Sequence, residues 1–213
     1  KIISTIWNRT LLSGVYWVHA CADEVHVSEN EQIIHARGGD ETAWIALTQR
    51  YQDVVFRFAY LLLGDADDAD DVAQETFIRA FYALDRFDAE RPLRPWLLQI
   101  AKNLAYNRRR SFQRYLAVVG RWLQVAPSSA APVEEHTAQQ EESALLWQAI
   151  CRLNASDQEV IYLRYFLDLS VAETAMALNR AEGTVKSRLS RALERLRAII
   201  AQEFPGLREE YTP

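Results

Sequence analysis

The 170–197 stretch constrains the fold more than any other part of the chain, because it contains two helical patterns separated by a short break. Ser170 followed by Glu173 is a capping box, which predicts the start of a short helix. Residues 179–183 interrupt the periodicity. Beyond them, apolar residues recur along one face at helical spacing, namely Val185, Leu189, Leu193 and Leu196. A short helix, a tight turn and a second helix predict a helix-turn-helix, a motif whose second helix enters the DNA major groove.

The other face of this second helix is polar and basic, and it consists of Lys186, Ser187, Ser190 and Arg191. An ordinary amphipathic hairpin with a solvated basic face is the alternative, because charged faces are common on surface helices. The charge distribution and motifs in the rest of the chain help to decide between a helix-turn-helix and an ordinary hairpin.

The net charge of −5 is opposite to what DNA binding requires until it is resolved along the chain. Residues 65–90 contain nine Asp or Glu and two Arg, a local charge of −7. Residues 91–114 contain seven Lys or Arg and no acid, and residues 180–197 contain six Lys or Arg and two Glu, giving +7 and +4. The chain therefore has two local polyanion-binding surfaces, and its acidic block requires a different partner.

Helix-forming residues dominate the 213-residue chain and alternating β-branched runs are scarce, so we predict an all-α fold of two small helical domains joined by a flexible linker. Capping boxes predict two helix starts in addition to Ser170, at Ser28 with Glu31 and at Ser156 with Glu159. The predicted helices before the helix-turn-helix are 28–37, 40–63, 67–85, 95–112, 143–153 and 156–167. The face 72–84 of the third helix is predicted to be buried through Val72, Thr76, Phe77, Ala80, Phe81 and Leu84.

We divide the chain into an atypical N-terminal extension, a first domain, a Pro- and Ser-containing linker, a second domain and a C-terminal tail, at 1–27, 28–114, 115–142, 143–203 and 204–213. The extension is apolar and aromatic, and its two interpretations are a signal peptide or an upstream artefact. No apolar run of 18 or more residues exists, so membrane insertion is not expected. Cys21 and Cys151 are far apart, which favours a reducing, cytoplasmic setting without a disulfide.

The acidic cluster has three interpretations, and its members are Asp65, Asp67, Asp68, Asp70, Asp71 and Glu75. Carboxylate pairs bind Mg²⁺, and the pattern is similar to the metal motif of all-α prenyl-transfer enzymes. Acids at a helix N-terminus also interact favourably with the helix dipole. The third interpretation is a docking face for a basic partner, which the mutual repulsion of so many acids favours.

The basic block 91–114 contains interleaved aromatic residues, as single-stranded nucleic-acid sites do. Trp96 is either a stacking platform or, as we favour, part of the core. Asn103 is a candidate for hydrogen bonding a base edge, and the Arg108–Arg110 triplet is a candidate for phosphate contacts. The chain has no Gly-rich phosphate loop, no nucleophile signature and no paired metal-type histidines, so we expect neither catalysis nor a metal or other cofactor.

These patterns together resemble the bacterial sigma factors of the extracytoplasmic-function type, within the sigma-70 family. The family's second domain is similar to DADDVAQETFIRAFYALDRF followed by LRPWLLQIAKNLAYNRRR, and its fourth domain is similar to ALLWQAICRLNASDQEVIYLRYFLDLSVAETAMALNRAEGTVKSRLSRALERLR. Two signatures in order, joined by a linker, are more specific than a helix-turn-helix alone. Asn179 stands where the family usually has Gly, and Asn tolerates the left-handed conformation.

The resemblance implies a role for each candidate residue. Docking on the clamp helices of core RNA polymerase falls to Asp71, Gln74, Glu75 and Phe77. Capture of a base flipped out of the −10 element, with strand opening, falls to Phe87, Arg91, Ile100 and Asn103, assisted by Arg108, Arg109 and Arg110. Recognition of the −35 element falls to Lys186, Ser187, Ser190 and Arg191, with Arg180 and Arg188 on phosphates.

The resemblance further implies that the fourth domain contacts the polymerase flap and that a dedicated anti-sigma factor controls the protein. The predicted function is promoter-specific initiation of transcription by a subunit that is not itself an enzyme. The alternative is a stand-alone helix-turn-helix transcription regulator.

Overall fold

A computed structural model describes residues 28–119 and 138–204 of the chain, and in these ranges it contains eight α-helices and no β-strand, which confirms the all-α prediction. The helices are α1 (Glu29–Arg37), α2 (Glu41–Leu63), α3 (Ala66–Ala83), α4 (Leu93–Val119), α5 (Ala138–Cys151), α6 (Ala155–Ile161), α7 (Val171–Leu178) and α8 (Glu182–Glu203). The chain divides into two compact units, an N-terminal unit with α1–α4 and a C-terminal unit with most of α5–α8. Our predictions for 1–27 and for the centre of the linker lie outside the described residues.

The N-terminal unit is built on α2, α3 and α4, which pack against one another, while α1 packs against α2. Their buried faces are apolar and include Leu47, Val55, Phe58, Val72, Ala80, Leu97 and Leu98. Burying each large side chain of this kind contributes about 1.5–3 kcal/mol to folding. Phe81 was predicted to be buried, but it is 48% exposed, because its ring is covered only in part, with Trp44 at a centroid distance of 5.4 Å.

Side-chain caps define the helix starts in this unit. Ser28 and Glu31 form the predicted capping box, with the Ser28 amide donating to Glu31 Oε2 at 2.9 Å and the Glu31 amide donating to Ser28 Oγ at 3.3 Å. Asp40 caps α2, and Gly64 ends it in the left-handed conformation at φ 74°. Hydrogen bonds from Ser28 lower the pKa of Glu31, and those from Thr42 and Ala43 lower the pKa of Asp40. The caps therefore stabilise the fold above the ordinary pKa values of about 4, and this contribution is lost as the pH falls through the lowered values.

Helix α4 is longer than the predicted 95–112, because it begins at Leu93 and continues to Val119. Pro95 lies in its first turn, where a missing amide hydrogen costs nothing. In the C-terminal unit, α5 begins at Ala138, five residues before the predicted start at 143. Helical residues therefore extend into both ends of the predicted 115–142 linker.

The core of the C-terminal unit lies where α8 packs against α5 and α6, and it includes Ile150, Val160, Ile161, Leu163, Val185, Ala192 and Leu196. Helix α6 continues into a π-helical segment, Tyr162–Phe166. Within it, Tyr162 and Phe166 pack on Trp147 of α5, with ring centroids 5.8 and 6.2 Å away.

The start of α6 differs from the prediction. Its cap is Asn154, whose side chain accepts from the Asp157 amide at 3.0 Å, and Ser156 lies inside the helix. The predicted capping box at Ser156 and Glu159 is therefore wrong. Glu159 lies beyond the first turn of α6, and its side chain is buried.

Asp157 is a buried carboxylate, 3% exposed, that hydrogen-bonds Arg195 of α8 and accepts from Asn154 Nδ2 at 2.8 Å. We expect Asp157→Ala to lower the free energy of unfolding by about 1–3 kcal/mol, because α6 loses its link to α8 while the half-exposed Arg195 regains water. Thermal unfolding followed by circular dichroism measures this loss. Glu194→Ala, which removes an exposed acid from α8, serves as the control, and an equal loss in both variants would contradict the prediction.

Candidate nucleic-acid and docking interfaces

The helix-turn-helix has the predicted local geometry. Ser170 and Glu173 form the capping box, with the Ser170 amide donating to Glu173 Oε2 at 2.7 Å and the Glu173 amide donating to Ser170 Oγ at 3.1 Å. Asn179 ends α7 in the left-handed conformation, at φ 52°. The turn is shorter than predicted, because α8 begins at Glu182 and Gly183 lies in its first turn.

The outer face of α8 is exposed at each of its four predicted recognition residues, Lys186, Ser187, Ser190 and Arg191. Its inner face is buried through Val185, Ala192 and Leu196, whereas Leu189 and Leu193 are half-buried. Ala192 was not included in the predicted apolar face, because the small side chain of alanine does not stand out in a hydrophobic pattern. Burial of this face holds the basic face towards solvent.

Arg191 is held along the α8 surface by its own helix. Its Nε donates to the Ser187 carbonyl oxygen at 3.1 Å and its Nη2 donates to Ser187 Oγ at 3.4 Å. The Ser187 hydroxyl in turn donates to the Thr184 carbonyl at 3.1 Å. The guanidinium is therefore oriented before any ligand is bound. Arg180, in the turn before α8, is exposed, and Arg188 of α8 is half-buried.

One member of the arginine triplet of α4, Arg108, binds two carboxylates of α3. Arg108 donates from Nε to Asp68 Oδ1 at 2.7 Å and from Nη2 to Asp71 Oδ2 at 2.8 Å, and so links α4 to α3. Burial acts to lower the pKa of Arg108, but these hydrogen bonds outweigh it and raise that pKa above its ordinary value. Arg109 and Arg110 are exposed. The phosphate role of Arg108 remains a prediction, and its carboxylate partners would compete with a phosphate.

The residues predicted to capture a base differ in exposure. Phe87 is buried, with its ring against Trp96 at a centroid distance of 4.6 Å. Trp96 and Ile100 are half-buried, and Asn103 is exposed on α4. Arg91 is exposed, with its Nε 3.5 Å from Asp88 Oδ2. Packing against Phe87 therefore accounts for one side of the Trp96 ring, and of the four residues predicted to capture the base, Arg91 and Asn103 are the exposed ones.

The acidic helix α3 uses several of its carboxylates internally. Asp65 caps the helix by accepting from the Asp68 amide at 2.8 Å, and Glu75 Oε1 accepts from Arg79 Nε at 2.7 Å. Asp68 and Asp71 bind Arg108, as described above. Among the residues that the structure describes, no three His, Cys, Asp or Glu side chains are grouped to hold a metal ion. Capping and ion pairing therefore explain much of the cluster.

The solvent-facing part of α3 includes Asp71 and Gln74, which are exposed, and Glu75, which is half-buried. We call these three residues the acidic face. Phe77 is not part of it, because its side chain is buried in the core, 6.4 Å from the Trp44 ring centroid. The prediction that Phe77 contacts a partner directly is corrected to a packing role.

Three exposed apolar residues that were not predicted as site residues follow the acidic face along α3. Ile78 is 52% exposed, Phe81 is 48% exposed and Tyr82 is 82% exposed. Phe81 packs on Tyr82 with ring centroids 5.8 Å apart. Exposed apolar clusters of this kind mark interaction sites. Of the three, Phe81 alone was assigned in the sequence analysis, and it was assigned to the buried face.

No helix within the described ranges is both long enough and apolar enough to cross a bilayer. Two family models match the chain in order along it. Sigma-70 region 2 matches residues 47–115, and Sigma-70, region 4 matches residues 143–196.

Curated relatives and a solved structure give the same result. The chain is 34% identical over 176 residues to the ECF RNA polymerase sigma factor SigW of Bacillus subtilis, an alignment that covers 78% of this chain and 94% of SigW. It is 38% identical over 159 residues to the ECF RNA polymerase sigma factor SigL of Mycobacterium tuberculosis, covering 74% of this chain and 88% of SigL. The structure of CnrH in complex with the cytosolic domain of CnrY matches with a TM-score of 0.61 and 26% identity, covering 82% of this chain and 98% of CnrH.

Proposed function

The chain belongs to the extracytoplasmic-function group of the sigma-70 family, and from this membership we propose which of its surfaces bind polymerase and which bind promoter DNA. It is an RNA polymerase sigma factor, which directs promoter-specific initiation of transcription. The observation that carries this conclusion is the ordered match to region 2 and region 4 within one chain. A stand-alone helix-turn-helix regulator has no need of region 2, so this alternative is not favoured.

The acidic face and the apolar cluster beside it form the proposed docking surface for the clamp helices of core RNA polymerase. Asp71, Gln74 and Glu75 supply charge and hydrogen bonds, and Phe81 and Tyr82 supply apolar area. Charged groups steer association and fix register, whereas buried aromatic residues contribute most of the binding free energy in typical interfaces. A surface that combines acidic and aromatic residues is complementary to a partner helix that has basic and apolar residues.

The loop between α3 and α4, together with the exposed side of α4, forms the proposed −10 site. Extruding a base costs a few kcal/mol of unstacking, which must be offset by contacts to the flipped base. Asn103 is exposed and offers both a donor and an acceptor for a base edge. Phe87 is packed on Trp96, so it supports the site from behind. Arg109 and Arg110 lie further along α4 and are assigned to phosphates.

The outer face of α8 forms the proposed −35 site in the major groove. Arg191 is oriented by Ser187, and a preoriented guanidinium suits the bidentate contact that arginine makes to guanine. Lys186, Ser187 and Ser190 complete the face. Arg180 and Arg188 flank it and are assigned to phosphates, which fix register without reading sequence. The C-terminal unit would in addition contact the polymerase flap.

We assign this protein the role of a specificity subunit in the cytoplasm, because every proposed contact serves binding to polymerase and DNA and none serves a reaction. The similarity to the sigma factor RpoE of Bartonella quintana, whose structure is a complex with the anti-sigma factor NepR, supports an anti-sigma partner for this chain. Such a partner would cover the polymerase-binding surfaces until a signal releases it.

Run-off transcription with purified core polymerase and a library of genomic fragments tests the function directly. We expect the added chain to produce transcripts from a small set of fragments, whose upstream sequences share two spaced elements. Core polymerase alone provides the control. If the folded chain, free of any inhibitor, produces no selected start sites, the proposed function is wrong.

A further inference from the structure

Helix α1, to which the proposed function assigns no role, contacts both ends of the segment that connects α3 to α4. At one end, Arg37 Nε donates to the Leu84 carbonyl oxygen at 2.9 Å, just before Phe87. At the other end, Glu29 Oε1 accepts from the Leu93 amide, the first of α4, at 2.9 Å. Residues 84–93 are therefore tied at both ends to a single helix.

The Glu29 carboxylate is itself held in place. Its Oε2 accepts from the hydroxyl of Tyr51, a buried side chain of α2. Burial and the hydrogen bond to Glu29 both raise the pKa of Tyr51, so its hydroxyl stays protonated and continues to donate. The Leu93 amide is one of the four that an α-helix leaves without an internal partner, and a carboxylate at this end also interacts favourably with the helix dipole.

The ends of the segment are buried, whereas its tip is exposed. Leu84 and Leu93 are 2% and 0% exposed, and Phe87 packs on Trp96. The tip turns at Asp88, whose carbonyl accepts from the Arg91 amide at 3.0 Å. Within the described residues, α1 thus supplies polar contacts at both margins of an exposed loop.

We propose that α1 positions the 87–92 loop for base capture, with Glu29 and Arg37 as its two positioning residues. The inference rests on the proposed −10 role of this loop. A loop that is already ordered loses less conformational entropy when a base binds, and the saved free energy appears as affinity and discrimination. Without these contacts the first turn of α4 would fray and the loop would sample more conformations.

Three variants isolate the Glu29 contact. Glu29→Ala removes the acceptor of the Leu93 amide. Glu29→Gln keeps one oxygen in its place and is expected to restore much of the loss. Asp53→Ala removes an exposed acid of α2 that is not part of the α1 capping box, and serves as the matched control. Arg37→Met tests the other end, since it removes the donor to Leu84 and keeps an aliphatic chain.

The measurement is fluorescence anisotropy of the full chain with a short single strand that carries the non-template −10 sequence mapped by run-off transcription. Strands changed at one base measure discrimination. Glu29→Ala is expected to bind the matched strand about tenfold more weakly and to discriminate less, as the loss of one charge-assisted hydrogen bond predicts. Glu29→Gln should lie between this variant and the wild type, and Asp53→Ala should match the wild type.

Hydrogen exchange of the same proteins distinguishes a failure of the positioning role from a failure of the proposed −10 role. If Glu29→Ala retains wild-type affinity and discrimination, or if Asp53→Ala loses them equally, the positioning role is wrong. If the wild-type chain itself does not distinguish the strands, the −10 role fails, and hydrogen exchange then decides the positioning role alone. Faster exchange at Leu93 and in the loop, in Glu29→Ala only, supports that role, and unchanged exchange overturns it.

Discussion

Reversing the charges of Asp71 and Glu75 to arginine is expected to abolish co-purification with core RNA polymerase, a loss of roughly 100-fold or more in affinity. Both side chains are about half-exposed, at 57% and 43%, so the change falls on the surface of α3. Two new cations would face a basic partner, and like charges brought together at an interface cost several kcal/mol. The measurement is a titration of labelled core polymerase, with circular dichroism to verify the fold.

The control variants are chosen from the contacts that α3 residues make within the protein. Asp71 binds Arg108, so its reversal also disturbs the link to α4, although Asp68 remains as a partner. Glu75→Arg alone leaves that link intact and is expected to retain most of the effect. Asp53→Arg with Asp85→Arg reverses the same number of exposed charges elsewhere in the unit. Unchanged binding by the α3 double variant would show that the proposed docking surface on α3 is wrong.

Replacing Arg191 by alanine is expected to cost about 1–3 kcal/mol of discrimination at a single base pair of the −35 element. The physical reason is that a bidentate guanidinium contact to a base edge is specific for that base pair. Arg109→Ala on α4 should instead weaken all DNA equally and reduce the slope of log affinity against log salt by about one. Anisotropy titrations on the matched and the singly substituted duplexes, at several salt concentrations, measure both quantities.

Arg191→Lys sharpens this comparison, because lysine keeps the charge and lacks the planar fork. It should retain the salt dependence of the wild type while losing discrimination. If Arg191→Ala and Arg109→Ala weaken every sequence by the same factor, the assignment of the α8 recognition face is wrong.

Local sequence patterns predicted those features that depend on residues three or four positions apart. The capping boxes at Ser28 and Ser170 formed as expected, since helix geometry alone brings their partners together. The same rule failed at Ser156, because Asn154 and Asp157 offer the same spacing two residues earlier. Packing decided between these two starts, since the earlier one brings the buried Asp157 to Arg195 of α8.

The exposure of aromatic residues was harder to predict than their place on a helix. Phe77 and Phe81 are one turn apart on α3, and the sequence suggested that both are buried. The structure buries Phe77 and leaves Phe81 half-exposed, because the neighbouring helices cover only part of the stripe. Phe77 therefore stabilises the core, and the exposed Phe81 extends the proposed docking surface.

By itself the sequence determined the helical class, the order of the two family regions, the helix-turn-helix and the separation of acidic from basic surfaces. Each of these depends on composition or on neighbours within one helical turn. Only the tertiary structure decided that Glu29 caps the helix beginning at Leu93, 64 residues away, and that Arg108 pairs with Asp68, 40 residues away. Such contacts depend on how separate helices pack, and no local spacing encodes the distance between two side chains on different helices.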